Sequence, residues 1–200
     1  MKNFPTCDIL LPALCLIVLS AAAPVQISRE DGDRLERKIA AIAENAAGDP
    51  VRPKKTAVPE NELNSYLNFN LREKLPRGVS EPAVSLIGNG NVSGHIFIDM
   101  DDFKRRRRSA GIMDPLNYIS GRVPVTAVGA VRTKDNKGQF QLMSAEIHGV
   151  PVPKPVVQEL VTFFSRTPEN PRGINIDEPF ALPAKIRELV INPREATVIQ

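Results

Sequence analysis

The chain has 200 residues, a net charge of +3, no tryptophan and an aromatic content of 5%. A charge this small argues against a nucleic-acid partner. The scarcity of rings argues against a stacking platform for bases or sugars, and 18 prolines argue against a long helical bundle.

The N-terminus reads as a secretory signal peptide. Lys2 is followed by the apolar run Ile9–Leu19 and then by Ser20, Ala21, Ala22 and Ala23. Cleavage is expected after Ala22, because a cut after Ala23 would place Pro24 just past the scissile bond. The run falls well short of the roughly 20 apolar residues that a spanning helix needs. Residues 1–22 are therefore expected to be removed, leaving a periplasmic or secreted protein. Lys2 and Asp8 leave together, so the charge stays +3. Cys7 and Cys15 leave too, and with them any disulfide, thiol nucleophile or thiolate metal site.

Residues 28–47 have a helical period, Leu35, Ile39, Ile42 and Ala46, with Ser28 or Asp33 as its cap. Gly48-Asp49-Pro50 ends it, and a Pro- and Lys-containing linker follows; 23–56 is expected to be a helical arm and linker. Pro59 opens a second helix with Leu63, Tyr66, Leu67 and Leu71 on one side, and Glu60 and Glu62 at the positive end of its dipole. Ala83–Ile87 and Val92–Met100 flank Gly88-Asn89-Gly90-Asn91, a strong hairpin signal. Residues 101–114 read as a charged loop. Arg122–Thr133 and Gln139–His148 form a second hairpin around Asp135-Asn136-Lys137-Gly138, more apolar on both faces than a half-exposed sheet requires. Pro155–Arg166 is the most apolar helix after the leader, and the chain closes on a hairpin ending Ala196-Thr197-Val198-Ile199. Residues 57–200 are expected to form one α+β domain.

Chemistry is sparse. His95 lies on a strand and His148 at a strand end, with no Gly-x-Ser-x-Gly elbow near either. Asp99 and Asp101 would share a strand face within reach of a hard cation, but the glycine turn and distal glutamate of a calcium loop are missing. No catalytic residue, metal or cofactor is expected. The strongest local signal is Lys104-Arg105-Arg106-Arg107-Arg108. Five adjacent cations repel one another and are expected on an exposed loop, where Arg105, Arg106, Arg107 and Arg108 would meet anionic headgroups or an anionic membrane surface.

The order of elements carries a resemblance. Glu62-Leu63-Asn64 beside Tyr66-Leu67 in an early helix is followed by paired strands and an apolar helix. Phe180-Ala181-Leu182-Pro183, Ile186 and a hairpin then close the chain. Over 57–200 this resembles small bacterial envelope proteins of uncharacterised families, half-modules of the tubular lipid-binding superfamily. The resemblance implies a strongly curved antiparallel sheet wrapped around one or two helices, and non-catalytic binding of a lipid or other hydrophobic envelope component. Ile96, Ile98, Val123 and Val125 would form one wall, and Val156, Leu160, Phe163 and Phe164 the other. The competing expectation is a module that docks an envelope protein and holds no ligand; nucleic acid is expected in neither case.

Overall fold

The structure, a computed structural model, describes residues 26–49, 51–107 and 115–200. The expected signal peptide and Arg108 lie outside these residues. Among the described residues no helix is long and apolar enough to cross a membrane.

The architecture is α+β, with two antiparallel sheets and four α-helices among the described residues. The first helix, α1 (Arg29–Ala47), starts where Ser28 accepts a hydrogen bond from the Asp31 N–H at 3.1 Å. Lys55 and Thr56, expected to end the linker, and Pro59, expected to open the second helix, instead belong to β1 (Lys55–Pro59), which leads into α2 (Glu60–Phe69). Two hairpins follow, β2 (Val79–Gly88) with β3 (Asn91–Asp99), and β4 (Arg122–Lys134) with β5 (Lys137–Ile147). Both turn on two residues of positive φ, Asn89-Gly90 and Asp135-Asn136, the geometry whose twist matches the flanking strands. The short α3 (Met100–Arg106) separates the hairpins, where a loop was expected. After β6 (Val150–Pro151), α4 (Lys154–Phe164) and β7 (Phe180–Ala181), the chain ends in β8 (Glu188–Asn192) and β9 (Glu195–Ile199).

The large sheet has the order β2-β3-β4-β5-β6, with β7 pairing β5 as well. It is open, neither closed nor strongly curled, in contrast to the strong curvature expected. The small sheet has the order β1-β9-β8. It meets the tips of the two hairpins: the Arg194 N–H donates to Leu86 O at 2.8 Å, and Thr133 Oγ1 accepts from the Leu189 N–H at 2.8 Å.

Two cores result. One joins Leu35 and Ile42 of α1 to Val58, Leu182, Ile186 and Val198, so α1 is packed against the body. The other lies between the large sheet, α3 and α4, and contains Ile98, Met100, Phe103, Leu116, Val123, Val125, Ile147 and Leu160. Fully buried Phe103 packs edge-on against Phe163, with centroids 4.7 Å apart, and tilted against Phe164 at 5.9 Å.

The outer edge of β2 is covered by polar side chains of α2. Buried Asn64 donates to Val84 O at 2.8 Å and accepts from the Val84 N–H at 2.7 Å, as a neighbouring strand would. Asn68 donates to Pro82 O at 2.7 Å, and Glu60 accepts from the Leu86 N–H at 2.6 Å. Bare edges invite pairing with other chains, and this arrangement blunts one.

Two substitutions test these supports by urea unfolding. Asn64→Ala strands both backbone groups of Val84 and is expected to cost about 2–4 kcal/mol. Phe103→Ala removes the ring that joins α3 to α4 and is expected to cost about 3–5 kcal/mol.

Candidate functional site

Chemistry enters through the geometry of α4 over the sheet. In the register of β3 and β4, Ile98 faces Val123, Ile96 faces Val125, and Gly94 faces Ala127. The side chains shrink along this series from two branched residues to none and a methyl. Below the Ile98 end sit the phenylalanine rings. Toward the Gly94 end a chamber of about 430 Å³ opens between the sheet and α4, within the ~300–1,000 Å³ range of small-molecule sites.

The sheet contributes Gly94, Ile96, Ile98, Val125 and Ala127 to this chamber, with Val79 beside them. From α4 come Val157, Leu160, Val161 and Phe164, a stripe at three- and four-residue spacing. Pro76 and Ser165 complete the lining. The Ser165 hydroxyl is already engaged, donating to Val161 O at 2.6 Å and accepting from the Ile174 N–H at 2.7 Å. Nothing in the lining therefore offers a nucleophile, a titrating group or a cation ligand.

Five of the eight expected wall residues meet here: Ile96, Ile98, Val125, Leu160 and Phe164. The other three do not. Phe163 packs against the core on the Phe103 ring. Val123 and Val156 line a separate outer groove of about 600 Å³, together with Tyr118, His148 and Val150. On an apolar helix the periodicity does not tell Val156 from Val157, and the structure turns Val157 inward. Sequence reasoning missed Gly94, whose signal was a lone glycine inside a strand pattern. A larger depression, about 710 Å³, lies at the end of α1, but Glu44, Asp49, Arg52 and Lys54 line it and give it no apolar wall.

Lys104, Arg105 and Arg106 of the basic run lie in a helix rather than in a loop. Asp99 caps α3, its Oδ1 accepting from the Asp102 N–H at 2.9 Å. Asp101 and Asp102 occupy the first turn, while Lys104, Arg105 and Arg106 occupy the last. This order of charge suits the helix dipole, and it overcomes the mutual repulsion that a loop was expected to relieve. The capping also separates Asp99 from Asp101, which accepts instead from the Gly121 N–H at 3.1 Å, so the two carboxylates share no strand face. Among the described residues no three His, Cys, Asp or Glu side chains gather as cation ligands would.

The cations then part ways. Lys104 Nζ lies 3.6 Å from Asp101 and donates to Ser120 Oγ. Arg107 is ion-paired with Glu159 and stands over the Phe103 ring. Arg105 and Arg106 turn to Asp102, where Arg77 joins them. Asp102 is 4% exposed; a buried carboxylate of this kind requires partners. The Arg106 guanidinium reaches it at 2.8 Å, off the line for a hydrogen bond, and donates to Arg77 O at 2.7 Å. Of the expected headgroup arginines, Arg105 and Arg106 thus meet at Asp102, Arg107 pairs elsewhere, and Arg108 lies outside the described residues; Arg77 was missed because it is remote in sequence.

The histidines stand away from the chamber. His95 lies on the other face of the sheet, edge-on to Phe97 with centroids 5.1 Å apart. His148 is exposed at the outer groove. No protein-family model, curated protein or solved structure matches the chain.

Proposed function

We propose that this protein is a non-catalytic binder of a lipid or other hydrophobic envelope component, whose apolar part enters the chamber between β3, β4 and α4. The observation that carries this reading is Gly94. A Cβ built there meets no atom within 4 Å. The other glycines of the large sheet's central strands are held by packing: a Cβ at Gly129 would stand 2.3 Å from the Phe140 ring, and one at Gly138 2.4 Å from the Phe180 ring. Gly94 has no such reason, yet it follows Ile98 and Ile96 on the same strand face, where glycine weakens a strand. Its effect is to leave room.

The same proposal places the mature protein outside the cytoplasm, beginning at Ala23. It also gives the ligand-filled form a sheet curled more strongly around α4, which an open sheet permits. Docking of an envelope protein is the second reading. It draws on the outer groove, where Tyr118 is 80% and Val150 63% exposed.

The test uses the full chain, processed and purified without detergent, with the neutral probe N-phenylnaphthylamine and a series of straight-chain alcohols as competitors. Each added methylene is expected to tighten binding about fourfold, ~0.8 kcal/mol, until the chamber is filled. Gly94→Leu is expected to keep the fold and the melting temperature while lowering probe uptake at least tenfold, on the order of 1.4 kcal/mol or more. Uptake unchanged in Gly94→Leu, or no binding by either probe or alcohols, would overturn the reading.

A further inference from the structure

One end of the chamber carries an unbalanced charge. Pro76 and Phe164 line that end. Arg77 is the next residue after Pro76, and the Arg106 guanidinium lies 5.9 Å from the centroid of the Phe164 ring. Arg77 and Arg105 lie 3.4 and 3.5 Å from Asp102 Oδ1, and Arg106 lies 2.8 Å from Oδ2. Three guanidiniums around one carboxylate leave an excess of two positive charges beside an apolar wall. Among the described residues of the same run, Arg107 and Lys104 do not add to it, since Arg107 is paired with Glu159 and Lys104 with Asp101.

The three arginines are not equivalent. Arg106 is anchored by Asp102 and by Arg77 O. The side chains of Arg77 and Arg105 are 79% and 66% exposed and touch Asp102 only at the longer distances. They keep donors for another anion, and planar guanidinium forks match phosphate oxygens in geometry as well as charge.

We infer that Arg77, Arg105 and Arg106, gathered on Asp102, form a phosphate site for the head of a single-tailed amphiphile whose tail lies in the chamber. A phosphate monoester carries close to two negative charges at neutral pH, which balances the excess. Arg77 and Arg105 bind its oxygens, Arg106 holds the site against Phe164, and Asp102 keeps the three cations together. The inference rests on the chamber reading above and adds the head and its residues.

The test compares dodecyl phosphate, dodecanol and inorganic phosphate as competitors of N-phenylnaphthylamine at one fixed ionic strength. Dodecyl phosphate is expected to displace the probe at a concentration at least about tenfold lower than dodecanol. In the double variant Arg77→Ser/Arg105→Ser that advantage is expected to fall to near unity while dodecanol binds as before; both positions are exposed, and circular dichroism checks the fold. Lys104→Ser, on the same helix but paired elsewhere, is expected to leave the advantage intact. Equal displacement by dodecyl phosphate and dodecanol overturns the phosphate site and leaves the chamber standing. An advantage lost equally in Lys104→Ser overturns it as well, because general charge then explains the effect. Inorganic phosphate is expected to leave the advantage of dodecyl phosphate unchanged at equal concentration. If it abolishes that advantage, the site takes a free anion and the amphiphile assignment fails. Failure of the probe and of both dodecyl compounds overturns the chamber reading itself.

Discussion

The distance between α4 and the large sheet is set by three phenylalanine rings. Phe103, carried by α3, is closed in by Phe163 and Phe164 from the last turn of α4, and Ile98, Val123 and Ile147 meet the same cluster from the sheet. Rings are incompressible on this scale, because interiors are packed to near-crystal density. The helix is therefore propped at the phenylalanine end. Toward the hairpin tip, about 13 Å further along β3 at 3.2–3.4 Å per residue, the wall has only Gly94 and Ala127 to offer. The helix is held off, the sheet residues are small, and the space between them follows from both facts together.

Buried polar groups hold the two N-terminal helices, α1 and α2, in place. Asn64, Asn68 and Glu60 tie α2 to the edge of β2 with side-chain hydrogen bonds. At the other end of the molecule Gln200 donates to Ile42 O and to Ala184 O and accepts from Asn45, which fastens α1 to the small sheet. Each of these groups is costly to bury alone and stabilising only in register with its partner. The stretch of β2 that α2 covers, at Pro82, Val84 and Leu86, is thereby closed to strand addition, while Val79 at the start of the same strand lines the chamber.

How far the sequence disclosed this depends on the range of the interaction. The α+β class, the helices α1, α2 and α4 and the two hairpins are legible because their signals are local: Ser28 before an apolar period, Pro59 ahead of two glutamates, Asn-Gly and Asp-Asn between alternating strands. β1 was hidden because its partner, β9, comes from the other end of the chain, and because Lys55 reads as linker and Pro59 as the start of a helix. α3 was hidden because four arginines outweighed the aspartates in front of them, although Asp99, Asp101 and Asp102 supply the cap and the dipole complement that make the turn helical. The chamber was half legible. Ile96 and Ile98 alternate plainly, whereas α4 is apolar on too wide an arc for spacing alone to choose between Val156 and Val157.

The two functional readings differ in where polar groups must sit. A protein-docking surface is polar around its whole rim, with water excluded from the middle. The charges near the chamber are instead gathered at one end, where Arg77, Arg105 and Arg106 meet Asp102, and the strand side is bounded by Gly94, Ile96 and Val79. Buried Asp102 gathers three guanidiniums, and the one nearest it, Arg106, stands beside Phe164. An apolar wall with its charge at one end matches a molecule built the same way, with a tail and a head, better than it matches the mixed surface of a folded partner. On the proposed reading, affinity would come from the area of tail removed from water, and selection among tails of equal length from the arginines.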